Sequence, residues 1–143
     1  MHYNKQTSGM INQLKSVKDF KDFAKNHEAD FVKVSLCEYL NIKIEQSGFS
    51  KAEVIRVADL DRVYGYQIIS GKRKPTREKL IQLAFGLRLD IEDAQALLKV
   101  AGVAPLYARI EREAGIIFCI NHGYSLIETQ SFLQKNQLRI IDG

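Results

Sequence analysis

The chain has 143 residues, with 21 lysines and arginines against 17 aspartates and glutamates, for a formal charge of +4 at pH 7. This length suits one compact domain, or a small domain with an accessory one, and a hydrophobic content of 45% is enough for a packed core. Cys37 and Cys119 lie far apart in apolar helical patterns, CxxC is absent, and His2, His27 and His122 are isolated. These features predict buried reduced thiols, a cytoplasmic location, and neither a metal site nor a cofactor. The first residues, MHYNKQTSG, lack the apolar run of a signal peptide. The densest apolar run, Ala114 to Ile120, is too short to span a bilayer, so no membrane partner is expected. GxSxG, P-loop, HExxH and paired-carboxylate patterns are missing, so the chain is not expected to be an enzyme.

The periodicity predicts an all-α chain; no segment alternates with period two between hairpin turns. Residues 1–15 read as a flexible arm. Ser16 to Asn26, with Val17, Phe20 and Phe23 at helical spacing, reads as an amphipathic helix. Ser35-Leu36-Cys37-Glu38 has the form of a capping box and opens a helix with Leu36, Tyr39, Leu40 and Ile44 inward, stopped by Gly48. Ser50-Lys51-Ala52-Glu53 repeats that form before Val54, Ile55 and Ala58, and this helix ends at Asp59. Asp61 caps a third helix running to Ser70 and Gly71. Pro75-Thr76 starts a fourth, with Leu80, Leu83, Ala84 and Leu87 on one face. Asp90 caps a fifth, carrying Ala94, Leu97, Leu98 and Ala101, and Gly102 stops it.

Beyond Pro105, helices are expected over Tyr107 to Asn121 and from Ser125, a third capping box, to Lys135. Arg109, Glu111, Arg112 and Glu113 read as a solvated mixed-charge face, and His122-Gly123 as a helix end. DIEDAQALLKVAGV (from Asp90) aligns without gaps on SLIETQSFLQKNQL (from Ser125), keeping Gln95/Gln130 and Leu98/Leu133. Two capped amphipathic helices would produce such an echo by themselves. The domain division is therefore 1–34 (arm and helix), 35–102 (five-helix bundle) and 103–143 (helical extension).

Charge is not spread evenly. From Lys51 to Lys79 there are eight basic residues and four acidic ones, while the remaining chain is balanced. All the net charge thus falls on the second helix, the third helix and the basic loop after it. A local basic surface of this kind is what phosphate binding needs. The third helix exposes Arg62, Val63, Tyr66 and Gln67, side chains able to reach base edges in a major groove.

Helix, four-residue turn, helix, then GKRKP and a capped acidic helix resembles the lambda-repressor-like (XRE/Cro) helix-turn-helix family over about Ser35 to Gly102. The resemblance implies a five-helix lambda-repressor-like bundle, with an N-terminal helix and two additional C-terminal helices. It makes Asp61 to Ser70 a recognition helix, with Arg62, Val63, Tyr66 and Gln67 as base contacts. Lys51, Lys72, Arg73 and Lys74 become phosphate contacts. It further implies a sequence-specific double-stranded DNA-binding transcriptional repressor, acting as a homodimer on half-sites about 34–36 Å apart. Ile116, Ile117, Phe118, Ile120, Phe132 and Leu133 are then either a dimer contact or intramolecular core. The alternative is an adaptor whose C-terminal helices hold a protein partner.

Three positions depart from the family pattern. Asp59 replaces the usual turn glycine; aspartate tolerates a left-handed backbone better than most residues. Gly65 stands where a large aliphatic is usual, and Ile55 where a small residue is usual. These two positions face each other across the motif, which predicts a volume exchange between them.

Overall fold

The structure, a computed structural model, describes residues 5–26 and 34–142, and every regular element among them is helical. Contacts divide the chain into two compact units at the Lys33–Val34 junction. The first contains α1 (Lys5–Ser16) and α2 (Phe20–Asn26). Residues 5–15 are thus helical where the sequence reading expects a flexible arm, and the expected helix from Ser16 starts four residues later. Asp19 is the physical cause of the break. Its side chain accepts from the backbone N–H groups of Lys21 and Asp22, capping α2 where a continuous helix would need it to be interior. His2 and His27 lie outside the described residues.

The second unit contains α3 (Leu36–Ser47), α4 (Lys51–Val57), α5 (Arg62–Ile69), α6 (Arg77–Gly86), α7 (Ile91–Val100), α8 (Glu111–Asn121) and α9 (Leu126–Lys135). Local signals set most of their ends. Ser35, Ser50, Asp61, Thr76, Asp90 and Ser125 each accept a bond from the backbone N–H three residues on. Among these caps only Ser125 forms a reciprocal box, its N–H donating to the Glu128 carboxylate, whereas Glu38 and Glu53 do not accept from Ser35 and Ser50 in this way. Gly48, Gly71, Gly102 and Gly123 take positive φ after their helices, and Asp59 does so at φ 55°.

One core joins these helices: Leu40, Val54, Ile55, Ile68, Ile69, Leu80, Leu83, Leu97, Ile116 and Leu133 are all essentially sealed from solvent. α6 is central, packing on α4, α7 and α9. Its approach to α4 is close. A methyl group on Gly86 would lie 2.6 Å from the Val54 carbonyl oxygen and 2.8 Å from Ala58 Cβ. Beside it, the buried Gln82 side chain donates to the Ala58 carbonyl at 2.9 Å, supplying the partner that the end of α4 lacks.

The echo between α7 and α9 is part of something larger. Residues recur at one constant spacing from Arg77-Glu78 to Arg112-Glu113, through Gln95 to Gln130 and Leu106 to Ile141. The recurring residues also make the same bonds. Gln95 clamps both backbone groups of Leu106 (2.7 and 2.8 Å), and Gln130 does the same to Ile141 (2.7 and 2.8 Å). Arg77 donates to the carbonyls of Ala104 and Pro105, and Arg112 to those of Arg139 and Ile140. α6–α7 and α8–α9 are therefore two copies of one helical hairpin, each closed by its own tail.

The copies interlock by exchange. Arg77 forks onto Glu113 at 2.8 and 2.9 Å, and Arg112 forks onto Glu78. The Tyr107 N–H reaches Glu113 at 2.7 Å, and its counterpart, the Asp142 N–H, reaches Glu78 at 3.2 Å. α6 packs on α9 as α7 packs on α8. Each of these contacts has a mate with the two copies swapped, as across a two-fold axis; the Arg139–Glu78 pair has none, because its counterpart position is Ala104.

This interlock corrects two sequence expectations. Glu113 is only 8% exposed and Arg112 is mostly covered, so they are not part of a solvated face; Arg109 and Glu111 are. α8 begins at Glu111, not Tyr107, because the Gln95 clamp and the bond to Glu113 hold Leu106 and Tyr107 outside the helix. Burial by itself would raise the Glu113 pKa. The Arg77 fork, the Tyr107 N–H and the charges of Arg77 and Arg112 outweigh it and hold the carboxyl below its ordinary value.

Cys119 is buried as expected, but Cys37 is partly exposed. No helix among the described residues is long and apolar enough to cross a membrane.

Candidate nucleic-acid interface

The four-residue turn from Ala58 to Asp61 sets α5 against α4, and three features determine how α5 is held. The first is the left-handed Asp59, whose N–H bonds to the Arg56 carbonyl at 3.0 Å while the Leu60 N–H reaches Ile55 at 3.1 Å. The second is Gly65, buried on the inner face of α5. A methyl group there would come within 2.7 Å of Ile55 Cγ1 and Cγ2, so the isoleucine occupies the volume that the glycine leaves. The third is the end of α5. Asn41 Nδ2 donates to the Ile69 carbonyl at 2.9 Å, and the Cys37 thiol donates to the same oxygen at 3.2 Å. α3 thus holds the last turn of α5 through polar bonds as well as apolar packing.

With Gly65, Ile68 and Ile69 inward, the opposite face of α5 is left to solvent. Val63 is 66% exposed, Arg62 and Tyr66 are exposed, and Gln67 is half-buried. An open groove of about 440 Å³ is lined by Lys51, Arg62, Val63, Tyr66, Gln67 and Lys72, with Ile69 and Ser70 completing the lining. No carboxylate lines it. Lys51 comes from the first turn of α4, so the groove runs between the α4 start and the outer face of α5. The Arg62 guanidinium lies over the Tyr66 ring at 5.9 Å, which keeps both on the same face.

The remaining basic residues are arranged differently. Gly71, at φ 84°, reverses the chain so that the N–H groups of Lys72 and Arg73 both bond back to the Gln67 carbonyl (2.9 and 3.2 Å). Arg73 is thereby brought alongside Gln67, and its Nε donates to the Gln67 side-chain oxygen at 3.0 Å. The same guanidinium covers the Tyr64 ring at 5.5 Å. Lys74 is exposed and lines a second depression with Arg73, Cys37 and Ser35, not the groove. Arg77, counted in the basic cluster from sequence, is committed to Glu113 and faces the C-terminal hairpin. Sequence reasoning missed the Arg73–Gln67 pair; the signal available was Gly71, whose left-handed turn folds the following residues back onto the helix end.

No group of three or more metal-ligating side chains is gathered among the described residues. Comparison with protein-family models, curated proteins and solved structures gives no match to this chain.

Proposed function

We propose that the chain is a sequence-specific double-stranded DNA-binding transcriptional repressor of the lambda-repressor-like kind, with α5 as its recognition helix in the major groove. The observation that carries this reading is the outer face of α5. It places an exposed apolar side chain, Val63, between Arg62 and Gln67 in a groove flanked by Lys51 and Lys72 and lined by no acid. Each side chain has a matching partner on base edges: Arg62 forks onto guanine, Gln67 bonds purine edges and Val63 packs on a thymine methyl. Lys51 and Lys72, which also line the groove, would meet the phosphate strands in this reading.

A homodimer across a palindrome fits this reading, and the open part of the C-terminal hairpin is the contact this reading would use. Phe118 is 41% exposed and stacks on Phe132 with ring centroids 5.3 Å apart, whereas Ile116 and Leu133 are sealed in the core. The second reading, a protein-binding adaptor, draws on that patch and on Ile127, which is 80% exposed on α9.

Selection of binding sequences from a random duplex pool at near-physiological salt separates the two. The DNA reading expects one enriched palindrome, and Arg62→Ala should weaken binding by about 1–3 kcal/mol and relax preference at one position per half-site. Salt-sensitive retention without enrichment would reject sequence-specific readout and leave non-specific phosphate binding, whereas no retention of the folded protein would favour the adaptor.

A further inference from the structure

We infer that Arg73 is a positioning residue that sets which base Gln67 reads, rather than a phosphate contact; the inference rests on the DNA-binding reading of α5. The geometry begins with Gly71, whose positive φ ties Arg73 to Gln67 through the backbone. The side chain then adds a second tie, from Nε to the Gln67 amide oxygen. A guanidinium has donors only, so the amide atom facing it is the oxygen, and the amide nitrogen keeps both of its N–H groups for a ligand. The Tyr64 ring beneath the guanidinium holds it in place.

An amide held in this way offers its two N–H donors while one lone pair of its oxygen is already taken by a cation. Guanine presents two adjacent acceptors, O6 and N7, on its major-groove edge and suits such a donor pair. Adenine presents one acceptor and one donor, and its pairing with glutamine needs the amide oxygen turned to the base. Arg73 opposes that rotation. The expected preference at the Gln67 position is therefore guanine over adenine, on the order of tenfold.

The full chain is tested as wild type, Gln67→Ala, Arg73→Ala and the double variant, with folding checked by far-ultraviolet circular dichroism. Base preference is read at every operator position, together with the salt dependence of binding. Positioning expects Arg73→Ala to lower the guanine preference several-fold at the one position that Gln67→Ala also affects. The double variant should then match Gln67→Ala in preference. A uniform loss across all sequences with a shallower salt slope and unchanged base preference would make Arg73 a phosphate contact and overturn the inference while leaving DNA binding intact. No enriched sequence for the folded wild type would remove the DNA reading itself, and this inference with it.

Discussion

Replacing Gly65 by alanine puts the volume exchange with Ile55 under direct test. In an open helix interior the change would stabilise by about 1 kcal/mol, because alanine is the better helix former. Here the new methyl would sit 2.7 Å from both Cγ atoms of Ile55, which is 2% exposed, so the isoleucine or the helix must shift to admit it. Overpacking of this kind costs about 1–3 kcal/mol, so Gly65→Ala should destabilise by about 1 kcal/mol net. Ile55→Ala by itself should cost about 3 kcal/mol through the cavity it leaves. In the double variant the clash is gone and the helix gain remains. Its loss should fall about 2 kcal/mol short of the two single losses taken together, which is within the range seen for touching residues. Urea denaturation followed by circular dichroism gives the four stabilities. A stabilising Gly65→Ala with additive single effects would refute the argument that Ile55 fills the glycine's space.

The interlocked hairpins give two more expectations. Glu113 is held below its ordinary pKa, so its contribution is complete above about pH 4.3, the unfolded value, and is lost as pH falls through the lower folded value. Glu113→Gln should therefore cost about 2 kcal/mol at neutral pH and progressively less in acid, and denaturation curves across pH 2–7 would expose a pH-independent loss as contrary evidence. Gln95→Ala and Gln130→Ala remove the same pair of backbone bonds from equivalent tails, so each should cost about 2 kcal/mol in the same denaturation assay; a neutral Gln130→Ala would mean that the second tail is not held by its clamp.

Much of the helical architecture was legible in the sequence because its determinants are local. A cap acts over three residues and a left-handed stop over one or two, so Ser35, Asp61, Asp90, Gly48 and Gly102 mark their helix ends without reference to the rest of the chain. The exposed face of α5 was legible for a related reason, since helical spacing alone separates Arg62, Val63, Tyr66 and Gln67 from Gly65, Ile68 and Ile69. The Ile55–Gly65 exchange could be read as well, because two departures in size compensate across a short turn.

What the tertiary structure alone decided concerns residues whose partners are distant in sequence or whose role depends on burial. Arg109, Glu111, Arg112 and Glu113 form one mixed-charge run in the sequence. Only packing reveals that Arg112 and Glu113 are taken from water by Glu78 and Arg77 while their neighbours stay exposed. The hairpin duplication was faint for the same reason, since the Arg-Glu pair and the single glutamine that it preserves gain meaning only from the bonds they exchange. Charge type and helical spacing are properties of the chain, whereas desolvation and hydrogen-bond partnership are properties of the packed molecule, and these made Arg77 a structural tie and brought Arg73 onto Gln67.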